Sequence, residues 1–272
     1  MPSLFHAVLL AAPQVPMPTV PQALLLFAAG LLGGAINAVA GGGSFVTFPV
    51  MIFTGVPAIN ANASSTVALW PGSAASVGAY RNELRSAENV VLLAVVSLLG
   101  GVLGAVLLLR TPSVTFERLI PYLLLMATLL FTFSGTLSSE VRKRTRGRKL
   151  SRGRMLTAIG IIQFVIALYG GFFGGGIGIL MLATLSLMGL ENIHRMNAVK
   201  TVLATSINGI AVLTFVIARA VIWPQTLVML AGAVVGGYSG AHFAQKIKPA
   251  TVRRGVIAIG FALTLYFFFA RH

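Results

Sequence analysis

The sequence predicts an all-α integral membrane protein built from two homologous repeats of four to five helical segments, and three observations predict it. Of the residues, 57% are hydrophobic and only 9% charged, whereas an ordinary soluble domain carries about 25% charged residues. Uncharged stretches close to 20 residues recur along the chain, which is the length an α-helix needs to cross about 30 Å of hydrocarbon. Short residue patterns recur in the same order in both halves, at an offset near 135.

Glycine breaks and charges divide the first half into apolar segments at 23–40, 44–54, 60–80, 90–109 and 119–137. The second half divides at 155–171, 177–188, 197–218, 225–244 and 256–269, in the same order and at nearly the same lengths. Gly41-Gly42 falls on Gly175-Gly176, and Gly55 falls on Gly189. Asn62-Ala63-x-x-Thr66 falls on Asn197-Ala198-x-x-Thr201, and Gly100-Gly101-x-x-Gly104-Ala105 falls on Gly236-Gly237-x-x-Gly240-Ala241. The organisation that follows is a tail at 1–21, one membrane repeat at 22–138, a basic linker at 139–154 and a second repeat at 155–272. The tail is apolar and proline-rich without a basic start, a weak signal sequence at best.

Charge orients the chain. There are 20 Lys and Arg against five acidic residues, giving +15, with no aspartate. The glutamates Glu83, Glu88, Glu117, Glu140 and Glu191 fall at predicted helix ends or in loops. The basic residues cluster between apolar spans, so the excess reads as topology and contact with anionic lipid, with no nucleic-acid partner. The linker, with Arg142, Lys143, Arg144, Arg146, Arg148, Lys149, Arg152 and Arg154, is then cytoplasmic. If the segments flanking each glycine run form a pair that returns to its starting side, Arg81, Arg85, Lys246, Lys248, Arg253 and Arg254 are cytoplasmic as well. That arrangement predicts inverted repeats with three full crossings and a hairpin-like element each, and both termini outside. The absence of cysteine excludes disulfides and thiolate metal sites.

The second segment of each pair has 11 or 12 residues, about 17 Å of helix, too short to cross a bilayer alone. Gly41-Gly42-Gly43-Ser44 and Gly174-Gly175-Gly176-Ile177-Gly178 are therefore expected to break the helix at depth. A break there survives only when it lines a cavity or is buried in protein. The short helices would aim their N-termini at that place, and a helix N-terminus favours anions. Close helix packing explains Gly100-x-x-x-Gly104 and Gly236-x-x-x-Gly240 better. It explains the triplets worse, because each glycine costs a helix roughly 1 kcal/mol relative to alanine.

The runs Gly34-Ala35-Ile36-Asn37-Ala38-Val39-Ala40-Gly41-Gly42-Gly43-Ser44 through Pro49, and Gly170-Gly171-Phe172-Phe173-Gly174-Gly175-Gly176-Ile177-Gly178, carry a resemblance. From about Gly30 onward the chain resembles the sulfite exporter TauE/SafE family of membrane permeases. The resemblance implies transport of sulfite, sulfonates or related small anions across a bacterial inner membrane, without fixing direction or coupling.

Polar residues follow each short segment at helical spacing. Asn197, Lys200, Thr201, Thr205 and Asn208 lie three or four apart and share one face. The first half offers Asn62, Ser65, Thr66 and Ser73. Singly, such residues more often bond their own or a neighbouring helix. Lys200 lies about one turn inside its helix, where a central lysine costs roughly 3 kcal/mol. It either snorkels to the interface beside His194 and Arg195 or presents a cation to an anion cavity. Trp70, Trp223 and Tyr80 fit interfacial anchoring. The expected substrate-binding set is Asn37, Gly41, Gly42, Gly43, Ser44, Asn62, Ser65, Thr66, Gly174, Gly175, Gly176, Gly178, Asn197, Lys200, Thr201, Thr205 and Asn208.

The spans contain no paired carboxylates, no His/Glu metal spacing and no Ser/His/Asp set, so an enzyme is not expected, nor a catalytic residue, metal or cofactor. The function expected is a multi-pass secondary transporter of small sulfur-containing anions in the bacterial inner membrane. A passive anion channel or an assembly factor without transport activity is the alternative. The expected partners are the anion and a bilayer with anionic lipids, and a homo-oligomer stays open.

Overall fold

The computed structural model describes residues 15–39, 41–79, 89–145, 152–187, 193–243 and 249–269. Outside them lie Tyr80, Arg81, Glu83, Arg85, Glu88, Arg146, Arg148, Lys149, Gly189, Glu191, Lys246 and Lys248. The described residues form ten helices and no strand. They are α1 (Val20–Val39), α2 (Ser44–Phe53), α3 (Ala58–Ala79), α4 (Val90–Arg110), α5 (Ser113–Thr145), α6 (Arg152–Phe172), α7 (Ile177–Leu187), α8 (Ile193–Ile217), α9 (Trp223–Phe243) and α10 (Pro249–Phe269). Each expected apolar segment holds one helix. α5 runs past residue 137, where its apolar segment ends, into the basic stretch.

The second five helices repeat the pairing of the first five. α1 packs on α9 as α6 packs on α4, and α3 packs on α9 as α8 packs on α4. Glycine makes the two long seams possible. A Cβ at Gly34 would collide with the Ala233 carbonyl and one at Gly236 with the Leu31 carbonyl. In the other seam, a Cβ at Gly104 would collide with the Leu168 carbonyl, and one at Gly171 with the Gly101 carbonyl. Lipid tails are as apolar as leucine, so close backbone approach rather than hydrophobic exclusion holds such helices together. A buried polar pair crosses the second seam, Gln163 Nε2 donating to Ser97 Oγ at 2.8 Å.

Helix directions follow from the contacts. α2 folds back along α1, since a Cβ at Gly43 would meet the Gly33 carbonyl and one at Gly33 would meet the Thr47 methyl. α3 and α8 are antiparallel: Asn60 reaches the Ala220 carbonyl at 2.8 Å, while Trp70, farther along α3, reaches the earlier Thr205 carbonyl at 3.1 Å. α5 and α10 are antiparallel too, with Tyr122 against Phe268 at one end and Arg253 donating to the Phe131 and Thr132 carbonyls at the other.

Among the described residues, four helices are long and apolar enough to cross a membrane, at Val20–Ala38, Val90–Arg110, Ser113–Phe133 and Arg195–Ile217. α3 has 22 residues but is more polar. Its place explains this for its first half, which is enclosed where α1, α2, α5, α8 and α9 pack on it. Residues 58–65 are buried without exception, Asn60, Asn62, Ser64 and Ser65 among them.

Candidate functional site

Each glycine run ends one helix and begins the next. At the first, Gly41 takes φ +71°, a conformation that strains any side chain, and its N–H still reaches the Ile36 and Asn37 carbonyls at 3.2 Å. At the second, Gly174 and Gly176 take φ +80° and +79°, and the Gly174 N–H bonds the Tyr169 carbonyl at 3.3 Å. The expected broken pairs are present. The short helices α2 and α7 have 10 and 11 residues.

The glycines differ in what they face. Space is open beside Gly41, whereas a Cβ on Gly42 would stand 2.8 Å from Phe131 Cζ and 3.2 Å from Val256 Cγ1. Gly43 is buried against α1. Gly175 packs near Phe173 and Ala127, and Gly176 over Ala127. Gly174 approaches Asn208, whose Oδ1 would lie 4.0 Å from a Cβ there. Gly178 carries the Lys200 stem, with Cδ 3.4 Å from the same construction.

Polar side chains gather between the breaks. Asn37, one turn before the first break, donates to Ser73 Oγ at 3.1 Å. Thr205 Oγ1 donates to the Ser73 carbonyl at 3.2 Å, and the Trp70 indole N–H donates to the Thr205 carbonyl. Asn62 reaches across to the last carbonyl of α6, Phe172, at 3.1 Å. The Tyr169 hydroxyl bonds the Gly175 carbonyl at 2.8 Å. Unpaired backbone groups at membrane depth cost several kcal/mol, and these two side chains satisfy two of them.

The remaining residues of the expected set divide. Thr66 and Thr201 donate to the Asn62 and Asn197 carbonyls of their own helices, both at 2.8 Å. Ser65 is buried, 2.6 Å from Thr47 Oγ1. Ser44 and Asn197 are half-buried. Lys200 is half-buried, and no hydrogen bond or ion pair to another described residue holds its ammonium.

Trp70 corrects an expectation. It is no interfacial anchor but sits midway along α3, its ring against Gly209 and its N–H on Thr205. The residue 135 places on is Thr205 itself, so this pair stands at equivalent positions of the two halves. That offset was the signal that could have found it. Tyr169 and Thr47 were also missed, because a lone hydroxyl in an apolar helix carries no pattern. Trp223 is 47% exposed at the start of α9.

The environment of α3 changes along its length. Asn60 and Ser64 stitch its first half to the α8–α9 connection, Ser64 Oγ accepting from the Ile222 N–H at 3.0 Å. Beyond Pro71, Gly72, Ala75 and Gly78 are exposed, with open space beside both glycines.

A family model described as Sulfite exporter TauE/SafE matches residues 26–267. A probable membrane transporter protein of Haemophilus influenzae is 28% identical over 242 residues, 88% of this chain and 92% of the relative. The probable membrane transporter protein YfcA of Escherichia coli K12 is 26% identical over 250 residues, 91% and 90% of the two chains. The probable membrane transporter protein ORF9 of a Sinorhizobium species is 28% identical over 248 residues, 88% and 90%. No solved structure matches the chain.

Proposed function

The chain belongs to the sulfite exporter TauE/SafE family of membrane transporters, and from that premise we propose that it is a secondary transporter of a small sulfur-containing anion, sulfite or a short sulfonate, in a bacterial inner membrane. The observation that carries the reading is Lys200, a cation inside a membrane helix whose stem lies on Gly178 in the first turn of α7. An ammonium in a membrane helix is costly unless it serves a polar cavity or snorkels. Here it lies beside the N-terminal turn of a short helix, whose free N–H groups and partial positive charge also favour an anion. Asn208 beside Gly174, and Asn37 with Ser73, supply amide and hydroxyl groups for the anion's oxygens.

Helix directions support inverted repeats. Inversion requires the equivalent pairs α3 with α8 and α5 with α10 to run antiparallel, whereas a parallel repeat would align them. The hydrogen bonds of Asn60, Trp70 and Arg253 follow the first pattern. The linker and the second half of α3 then lie toward the cytoplasm, in keeping with the positive-inside rule. We read the open space beside Gly41, Gly72 and Gly78 as an inward-facing vestibule, and the stitched start of α3 as its closed outer end. Alternating access would open the Asn60 and Ser64 contacts and close the vestibule. The anion's negative charge is met by Lys200, and anionic lipids meet the basic linker.

The test is flux into proteoliposomes holding the purified protein, with a panel of sulfite, sulfate, short alkanesulfonates and chloride. Saturable uptake of sulfite or a sulfonate, faster than chloride, is expected. Uptake without saturation and without anion preference would favour the channel reading, and no uptake of any panel member would remove the transport reading.

A further inference from the structure

Resting on that anion-transport reading, we propose that Trp70 forms the floor of the vestibule and sets the size of the organic group the transported anion can carry. Three independent features place it there. Along α3 the side chains are buried through Ala68, save for half-buried Thr66, and half-buried or exposed from Leu69 to Gly78. Trp70 stands at that change. Its ring is then fixed from two sides: the N–H is spent on the Thr205 carbonyl at 3.1 Å, and a Cβ built on Gly209 would meet Nε1 at 3.0 Å and Cε2 and Cζ2 at 3.3 Å. The ring cannot settle farther toward α8. Finally, the equivalent position in the other half holds Thr205, so one large ring stands where the repeat provides one small hydroxyl.

A locked indole with its only donor occupied offers a substrate an apolar surface and nothing for its charge. The charged end therefore belongs with Lys200, about 12 Å along α8 from Asn208 at the level of the ring, and the alkyl end faces the ring. A group longer than the space above the ring is excluded by contact. One methylene more or less in a fitted pocket changes discrimination by about 10-fold or more.

The chain has two tryptophans, Trp70 and Trp223, so Trp223→Phe leaves Trp70 as the sole indole reporter. With this variant in vesicles of phosphatidylethanolamine and phosphatidylglycerol, emission and flux are measured against methane-, ethane- and butanesulfonate. Emission is expected to change saturably at the concentration that half-saturates flux. Trp70→Ala should shift kcat/KM toward butanesulfonate by about 10-fold relative to methanesulfonate, and Trp70→Phe, which keeps a ring, by less. Saturable sulfonate flux with unchanged emission and unchanged length preference overturns the floor while leaving the anion reading intact. Absence of saturable flux for every anion takes both down. Should Trp70→Ala not fold, the emission titration in Trp223→Phe and the length preference of Trp70→Phe decide the matter.

Discussion

At the first break Gly42 lies beneath Phe131 and Val256, and the hydroxyls of Thr47 and Ser65 bond each other nearby. At the second break the Tyr169 hydroxyl and the Asn62 amide hold two backbone carbonyls, and Lys200 takes the position equivalent to Ser65. Both hairpins thus pack glycines under apolar side chains and carry an amide nearby, Asn37 at the first and Asn62 at the second, but a cation stands beside the second alone. The difference teaches that duplication supplies the scaffold and its polar side chains twice, while the cation is supplied once. Two cations facing one cavity would repel each other, whereas a single cation neutralises a monoanion in a medium where Coulomb energies are large.

The scaffold should respond alike in both halves. Gly34→Leu and Gly104→Leu each drive a side chain into a facing carbonyl, at Ala233 and Leu168. Each should destabilise by about 3 kcal/mol or more, read as loss of the monodisperse peak and of the thermal transition in detergent. One variant behaving normally would break the equivalence of the seams.

The breaks come next. Gly42→Val meets the Phe131 ring, and Gly175→Val meets Phe173 and Ala127. Both should abolish flux in folded protein, since a β-branched residue fits neither the space nor the chain reversal. Near-normal flux in either folded variant would remove that break from the pathway.

A smaller effect is expected where a side chain holds a break in place. Asn62→Ala leaves the Phe172 carbonyl without its side-chain donor, costing about 1–3 kcal/mol, and should lower the melting temperature and the flux together. Asn197→Ala, at the equivalent position, should do so less. Equal effects would restore symmetry between the breaks.

Much of this was legible beforehand, and the reason is periodicity. Ten segments, the order of the repeat and both breaks follow from apolar length and glycine runs, because lipid forces such patterns onto the sequence. The seam glycines were legible for the same reason. What escaped was which residues meet between halves: Asn62 with Phe172, Trp70 with Thr205 and Arg253 with Phe131 are separated by 110, 135 and 122 residues. Such contacts depend on how helices cross. Likewise, nothing in Gly41-Gly42-Gly43 distinguishes the glycine beside open space from the two packed under neighbours.

The smallest effect concerns protons. The described spans hold Glu117 only in the first turns of α5, near the end of its span. Glu117→Gln should leave the pH dependence of sulfite flux within about twofold, because half-buried Glu117 stands near the end of its span and away from Lys200 on α8. Loss of that dependence in a folded variant would put the glutamate in the pathway.

Equilibrium binding of sulfite to the purified protein, followed by calorimetry in anaerobic buffer, tests the asymmetry most directly. One anion per chain is predicted, with Kd raised about 10-fold or more in Lys200→Ala, equivalent to about 1.4 kcal/mol, and changed little in Ser65→Ala. Two equivalent sites per chain, or a Lys200→Ala variant that binds as tightly as the parent, would contradict the account.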